Sequence, residues 1–335
     1  MTGLDRPEHA RVNVFFAFAP SGTYQCLDAA RALQRHRTAE TKMVKVARSN
    51  TPSLADLRQE IDRIDEAMHG LLIERGEIID RLIQVKQTQE SGSAFRPARE
   101  AAMMRSLAQR HHGILPLDTV EGIWRVIIAT FTYVQAPFSV HADLSQGDAS
   151  MRDSARFHFG FTVPFLPHAG AASVVAAVSD SKGDLGLVPA FATAGAGAWW
   201  SALEFDTAPK IIARLPFVER PHHPAALPVF VISRAAPDAL AKEVELWSIR
   251  LSGWNARAAK QAAALGEVIA VPDTAFDGAA LLMSIPAGKR IEEATSALVQ
   301  CGASVRSVTP VGSHAQQHRM PADRAKATVE DRFGA

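Results

Sequence analysis

PSLADLRQEIDRIDEAMHGLLIERGEIIDRLIQVKQTQ, residues 52–89, is the stretch whose reading decides the fold. Counting heptads from Leu54 places Leu54, Ile61, Met68, Arg75 and Leu82 at a, and Leu57, Ile64, Leu71, Ile78 and Val85 at d. Ser53 stands as an N-cap, Asp56 takes the position of a capping-box acid, and no proline interrupts the segment beyond it. The pattern predicts a single helix from Pro52 to about Gln89. Such a helix spans roughly 55 Å and exposes its apolar seam along that whole length, so a second copy of the chain is expected to cover it. Arg75 is the one charged residue on the seam. A guanidinium buried there needs an opposite charge, either Glu or Asp from another helix or an anionic ligand.

Outward from this segment the chain divides in two. Glu90-Ser91-Gly92-Ser93 stops the first helix, a second is expected from about Ala98 to His111, and a third from Leu117 to about Ala136, ended by Pro137. Beyond them come short β-like runs at Phe157–Val163, Leu185–Val188, Ile211–Leu215, Val229–Ile232, Leu281–Ile285 and Val305–Val308, interleaved with Ala-rich helical stretches. The last two runs, with a helix at Ile291–Val299 and Gly302 as its stop, read as a β-α-β unit. The expected organisation is multi-domain: a weakly ordered extension at 1–50, an all-α three-helix domain at 51–140 and a linker at 141–154. An α/β region ending in the β-α-β unit follows at 155–320, then a polar tail at 321–335.

Composition bounds the function. The 335 residues carry 36 Lys+Arg against 35 Asp+Glu, a balance that argues against a nucleic-acid partner. Cys26 and Cys301 are the only cysteines and lie far apart, so no disulfide framework or CxxC pair exists and a reducing cytoplasm is the expected setting. No apolar run reaches the roughly eighteen residues a membrane span needs.

Helix geometry groups the basic residues. Arg75 and Lys86 are eleven positions apart, which leaves them about 20° apart around the helix and about 16 Å apart along it. Two long basic side chains can hold a small dianion across that gap. Arg58 lies about 42 Å from Lys86 along the same helix. Any ligand role for Arg58 is therefore in a second site, belonging to the partner chain of an antiparallel dimer.

Leu57-Arg58-x-x-Ile61-x-x-Ile64-Asp65, Leu71-Leu72-x-Glu74-Arg75, Val85-Lys86, Arg99-Glu100 and the Ile127-Ile128 to Gln135 ending together resemble the all-helical chorismate mutases over about residues 53–137. The resemblance implies an intertwined homodimer with two shared active sites, no cofactor and no metal. It also implies roles. Arg75 and the partner chain's copy of Arg58 would bind the two carboxylates of chorismate, with Arg99 supporting that end of the site. Lys86 and Gln135 would donate to the ether oxygen, and Glu100 would hold the ring hydroxyl. Two residues depart from the family pattern: Arg96 replaces a small acidic or polar residue, and Phe131 stands where Ser is common.

The implied reaction explains these residue types. Chorismate rearranges to prephenate by breaking one C–O bond as one C–C bond forms, with no nucleophile and no proton carrier. Catalysis consists of freezing the reactive conformer and placing cationic donors where negative charge gathers on the ether oxygen. Arginine forks suit carboxylates, and Lys86 acts as the point charge. Because Gln135 is neutral, the site is expected to work without acid.

Beyond the helices, Asp184-Leu185-Gly186-Leu187-Val188-Pro189, residues 226–233 and Val305 to Ser313 weakly resemble prephenate dehydratase and its small amino-acid-sensing domain. Ala190-Phe191 and Pro228-Val229-Phe230 depart from the dehydratase pattern, so loss of water is not expected there. The region is read instead as a remnant that binds an aromatic amino acid effector or another subunit. Two alternatives accompany the mutase reading: an isochorismate pyruvate lyase on the same helical scaffold, and a non-catalytic partner-binding or amino-acid-sensing protein.

Overall fold

A computed structural model describes residues 52–86, 94–191, 197–234, 241–271 and 278–321, with Lys86 described by its backbone alone. The expected extension at 1–50, the Glu90–Ser93 stop and all but the first residue of the polar tail lie outside the described residues. The chain forms two compact units, Met1–Gly70 and Leu71–Ala335.

The described part of the first unit is the opening of helix α1 (Leu54–Lys86). Its start is the capping box read from the sequence. The Ser53 backbone N–H donates to Asp56 Oδ2 at 2.9 Å, and the Asp56 N–H donates back to Ser53 Oγ at 3.1 Å. The Ser53 hydroxyl, which donates to the same Oδ2 at 2.7 Å, and the Ser53 N–H hold the Asp56 carboxyl below the usual carboxylate range. The apolar seam of this stretch, Leu54, Leu57, Ile61, Ile64 and Met68, is exposed.

The second unit contains the remainder of α1, then α2 (Pro97–Arg110) and α3 (Leu117–Gln135). Pro97 begins α2, where a missing N–H costs nothing. α2 and α3 form within one residue of the predicted limits, and α1 begins as expected, while its expected end near Gln89 lies outside the described residues. Next come β1 (Val140–Asp143), α4 (Asp148–Phe159), β2 (Phe165–His168), α5 (Ala171–Asp180), β3 (Leu185–Pro189) and a 3-10 turn at Trp199–Leu203. The chain continues as β4 (Lys210–Leu215), β5 (Val218–Glu219), β6 (Val229–Ser233), β7 (Val244–Ser252), α6 (Ala256–Leu265) and β8 (Glu267–Ala270). It ends in β9 (Ala279–Pro286), α7 (Ile291–Gln300), β10 (Ser304–His314) and β11 (His318–Arg319).

Nine strands make one mixed sheet in the order β2-β1-β3-β6-β4-β10-β7-β9-β8, and β11 pairs with β5. The strands β3 and β6 are buried along their whole length because both faces are covered. Leu185, Leu187, Val229 and Val231 join one core with Ala101, Met104 and Leu107 of α2 and Ile128 of α3. On the opposite face Val188, Phe230 and Ile232 pack with Val174, Val175 and Val178 of α5 and with the buried Trp199-Trp200 pair.

The six consecutive elements β7-α6-β8-β9-α7-β10 form a split βαβ arrangement in which β7 lies between β9 and β10. The β-α-β unit read from sequence is thus present, straddling a strand. Gly302, at φ 89°, ends α7, and the Ala303 N–H returns to Leu298 O at 3.1 Å. Gly312 joins the two halves of the sheet: it pairs in parallel with Ile211, and any Cβ there would collide with the Ile211 backbone.

Three expectations are corrected. The presumed linker at 141–154 holds most of β1, buried throughout, and the beginning of α4. His141 and Asp143 disguise that strand as a polar connection. Phe157–Val163 is not a strand, because its alternating Phe residues sit at the end of α4, whose buried Met151, Ala155, His158 and Phe159 follow helical spacing. A boundary near residue 140 does not separate two cores, since α2 and α3 share theirs with the sheet.

Candidate active site

Three helices each contribute one face to a cavity of about 590 Å³. From α1 come Arg75, Ile78, Ile79 and Leu82. Residues at the start of α2 supply Arg96, Arg99, Glu100 and Met103, and α3 supplies Ile128, Phe131, Thr132 and Gln135. Every set has the spacing i, i+3, i+4, i+7, which brings four side chains onto one side of a helix. Ala94 and Ala98 complete the lining.

The cavity is electropositive. Arg75 and Arg99 line it beside one carboxylate among the described residues, Glu100, and that carboxylate is already engaged: Arg125 Nη1 donates to Glu100 Oε2 at 2.7 Å. Burial and the neighbouring Arg99 charge both push the Arg75 pKa down. Among the described residues Arg75 makes no ion pair, and its guanidinium carbon lies 5.3 Å from the Phe131 ring centroid. A site whose one lining acid is taken by a separate arginine suits an anion.

Gln135 lines the cavity, with Nε2 donating to Phe131 O at 2.9 Å. An amide nitrogen has two N–H groups, so one remains for a ligand. The apolar walls, formed by Ile79, Leu82, Met103 and Ile128 among others, strengthen polar contacts made between them.

Of the six residues singled out from sequence, Arg75, Arg99, Glu100 and Gln135 meet in this cavity. Arg58 stands exposed on α1 and is not among the lining residues. Lys86 is the last residue of α1, and its side chain lies outside the described residues. Sequence reasoning missed Arg125, which is 1% exposed. A basic residue within the apolar run Ile123-Trp124-Arg125-Val126-Ile127-Ile128 was the available signal, the same one that marked Arg75.

Residues 57–136 match the family model for chorismate mutase type II. The bifunctional chorismate mutase/prephenate dehydratase of Pseudomonas aeruginosa is 31% identical over 140 residues, which are 41% of this chain and 38% of that protein. The bifunctional enzyme of Aquifex aeolicus is 28% identical over 140 residues, again 41% of this chain and 38% of that protein. This chain therefore matches well under half the length of these curated relatives. A prephenate dehydratase from Streptococcus mutans shares 14% identity at a TM-score of 0.34, over 55% of this chain and 100% of that one, a likeness too slight to carry an argument.

Proposed function

We propose that this chain is a chorismate mutase, an isomerase that converts chorismate to prephenate on the route to phenylalanine and tyrosine. The observation that carries the reading is the placing of the Arg75 and Arg99 guanidinium groups in an apolar-walled cavity, built on three matched helix faces within residues 57–136. Chorismate brings two carboxylates, and the rearrangement needs shape and positive charge more than proton transfer.

In this reading Arg75 and Arg99 grip the carboxylate end, where guanidinium forks bind bidentately. Phe131 backs Arg75 from α3 and limits its freedom to swing away. The ring hydroxyl donates to Glu100, and Gln135 offers its second N–H to the ether oxygen. As the C–O bond breaks and the C–C bond forms, negative charge grows on that oxygen. Lys86 stabilises it, and the stabilisation is greater in the transition state than in bound substrate.

The same reading includes a homodimer. Leu54, Leu57, Ile61, Ile64, Met68, Leu71, Ile78 and Val85 along α1 are all exposed, more apolar surface than one helix leaves to water without a partner. A second copy supplies both the cover and the missing Arg58. We assign no dehydratase step to the α/β half, where Pro228-Val229-Phe230 leads into β6. Its split βαβ part suits an aromatic amino acid effector. Among the described residues no helix is long and apolar enough to cross a membrane. A cytoplasmic setting fits the two widely separated cysteines.

The test is incubation of the purified full chain with chorismate, and separately with isochorismate, resolving prephenate, phenylpyruvate and salicylate. Prephenate from chorismate is expected. Salicylate from isochorismate without prephenate from chorismate would replace the mutase with a lyase, and no product from either would leave a binding protein.

A further inference from the structure

Arg125 lies in the middle of α3, 1% exposed, and does not line the cavity. A guanidinium this deeply buried is tolerable only where counter-charge and acceptors meet its donors. Three elements meet it. Nη1 donates to Glu100 Oε2 on α2 at 2.7 Å, and Nη2 donates to the His158 carbonyl on α4 at 3.0 Å. On its flat side the Phe217 ring, from the connection between β4 and β5, lies with its centroid 5.3 Å from the guanidinium carbon.

The ionisable groups around it have contacts of their own. His158 is fully buried, and burial, reinforced by the Arg125 charge and by His223 and Arg220, pushes its pKa well down, so the ring stays neutral. One helical turn earlier on α3, Glu121 belongs to a separate set of contacts. Arg220 Nη1 bonds Glu121 Oε2 at 2.5 Å, and Arg220 also pairs with Asp118. His223 Nε2 lies 3.3 Å from Glu121 Oε2, within ion-pair range but not aligned as a hydrogen bond. Burial pushes the Glu121 carboxyl up, but His223 and Arg220 outweigh it and hold the carboxyl below its ordinary value. Among the described residues Arg125 is the cation bonded to Glu100.

Glu100 itself is 5% exposed and lines the cavity. We propose that Arg125 is a positioning residue for the mutase reaction: by fixing one oxygen of Glu100, it presents the other to the ring hydroxyl of the substrate. The proposal rests on the mutase reading of the cavity. It makes the α4 and β4–β5 segments of the α/β half part of the scaffold of the active site, since they hold Arg125 from two sides.

The test is a double-mutant cycle in the full chain, with kcat and KM for chorismate and a melting temperature for each protein. Arg125→Gln is expected to lower kcat/KM by about tenfold or more, and Arg125→Lys, which keeps charge but not the fork, by about threefold. In the Glu100→Gln background either change should cost less than about twofold. Arg220→Gln serves as the comparator: it breaks an equally buried pair that does not include Glu100, and should lower the melting temperature while kcat/KM stays within about twofold of native. Should Arg125→Gln fail to fold, the Lys variant carries the same cycle. Equal costs in both backgrounds, or an Arg220→Gln loss of activity as large as that of Arg125→Gln, overturns the proposal while the mutase reading stands. A native chain that leaves chorismate unchanged overturns both.

Discussion

The guanidinium of Arg75 on α1 lies over the ring of Phe131 on α3, its central carbon 5.3 Å from the ring centroid. An aromatic face, in place of a carboxylate, thus supports a half-buried cation next to Arg99. It steadies the charge without neutralising it, and leaves the charge available to a ligand. Replacing the ring with the hydroxyl common in the family, Phe131→Ser, removes that support. KM for chorismate should rise about fivefold with kcat little changed, as expected for a contact made equally in ground and transition states. Steady-state kinetics decide it, and an unchanged KM means that Arg75 is held by other contacts.

Gln135 is neutral, so its amide donates at any pH near 7. Gln135→Glu makes donation depend on a proton: the acid form donates, whereas the carboxylate repels charge growing on the ether oxygen. Activity of the variant should be greatest in acid and fall by about tenfold per pH unit above the carboxyl's pKa, a limb absent from the native profile. A pH profile of kcat/KM that parallels the native one removes Gln135 from the ether oxygen.

His314, at the end of β10, is 3% exposed, and burial lowers its pKa from 6.5 to about 4. Its Nδ1 lies 2.8 Å from Ala315 O, which requires the proton on that nitrogen. Because the folded-state pKa is depressed, the unfolded chain takes up the proton first on acidification. The stability is present above pH 6.5 and is lost as pH falls toward about 4, at a cost of roughly 3 kcal/mol once both states are protonated. His314→Asn keeps a donor and cannot titrate. Its melting temperature should fall less steeply than the native one between those pH values; parallel curves would show that His314 is not responsible.

The exposed seam of α1 predicts assembly. Ile64→Glu, made together with Leu57→Glu, places charge on the surface that a second copy is to cover and should shift sedimentation from dimer to monomer, with loss of turnover. Complementation is a sharper check. Arg58→Ala and Lys86→Ala chains, each inactive alone, should regain activity when subunits exchange, because one site of the hybrid contains neither lesion. Proven exchange without recovery would remove Arg58 from a shared site.

Sequence carried α1, α2, α3 and α7 and five of the eleven strands among the described residues, β3, β4, β6, β9 and β10, because each has a strong local signature. The α1 seam repeats without a break, and Val229–Ile232 is a pure β-branched and aromatic run. β1 was hidden because two of its four residues are His and Asp, although the strand is fully buried. α4 was misread because Phe157, Phe159 and Phe161 alternate like a strand at a helix end that Gly160 terminates at φ 68°. The site residues on α2 and α3, Arg99, Glu100 and Gln135, were legible only through the family resemblance, because no local periodicity singles them out. Arg125 was not, because its partners Glu100, His158 and Phe217 come from three separate segments and no local pattern brings them together.

The central claim is that a cation at the end of α1 drives the rearrangement of chorismate. The measurement that reaches it most directly is kcat and KM for prephenate formation by the native chain and by Lys86→Ala, side by side. The prediction is measurable native turnover and a variant whose kcat falls by about a hundredfold or more while KM changes by less than about fivefold. A variant within twofold of an active native chain would contradict the electrostatic role given to Lys86.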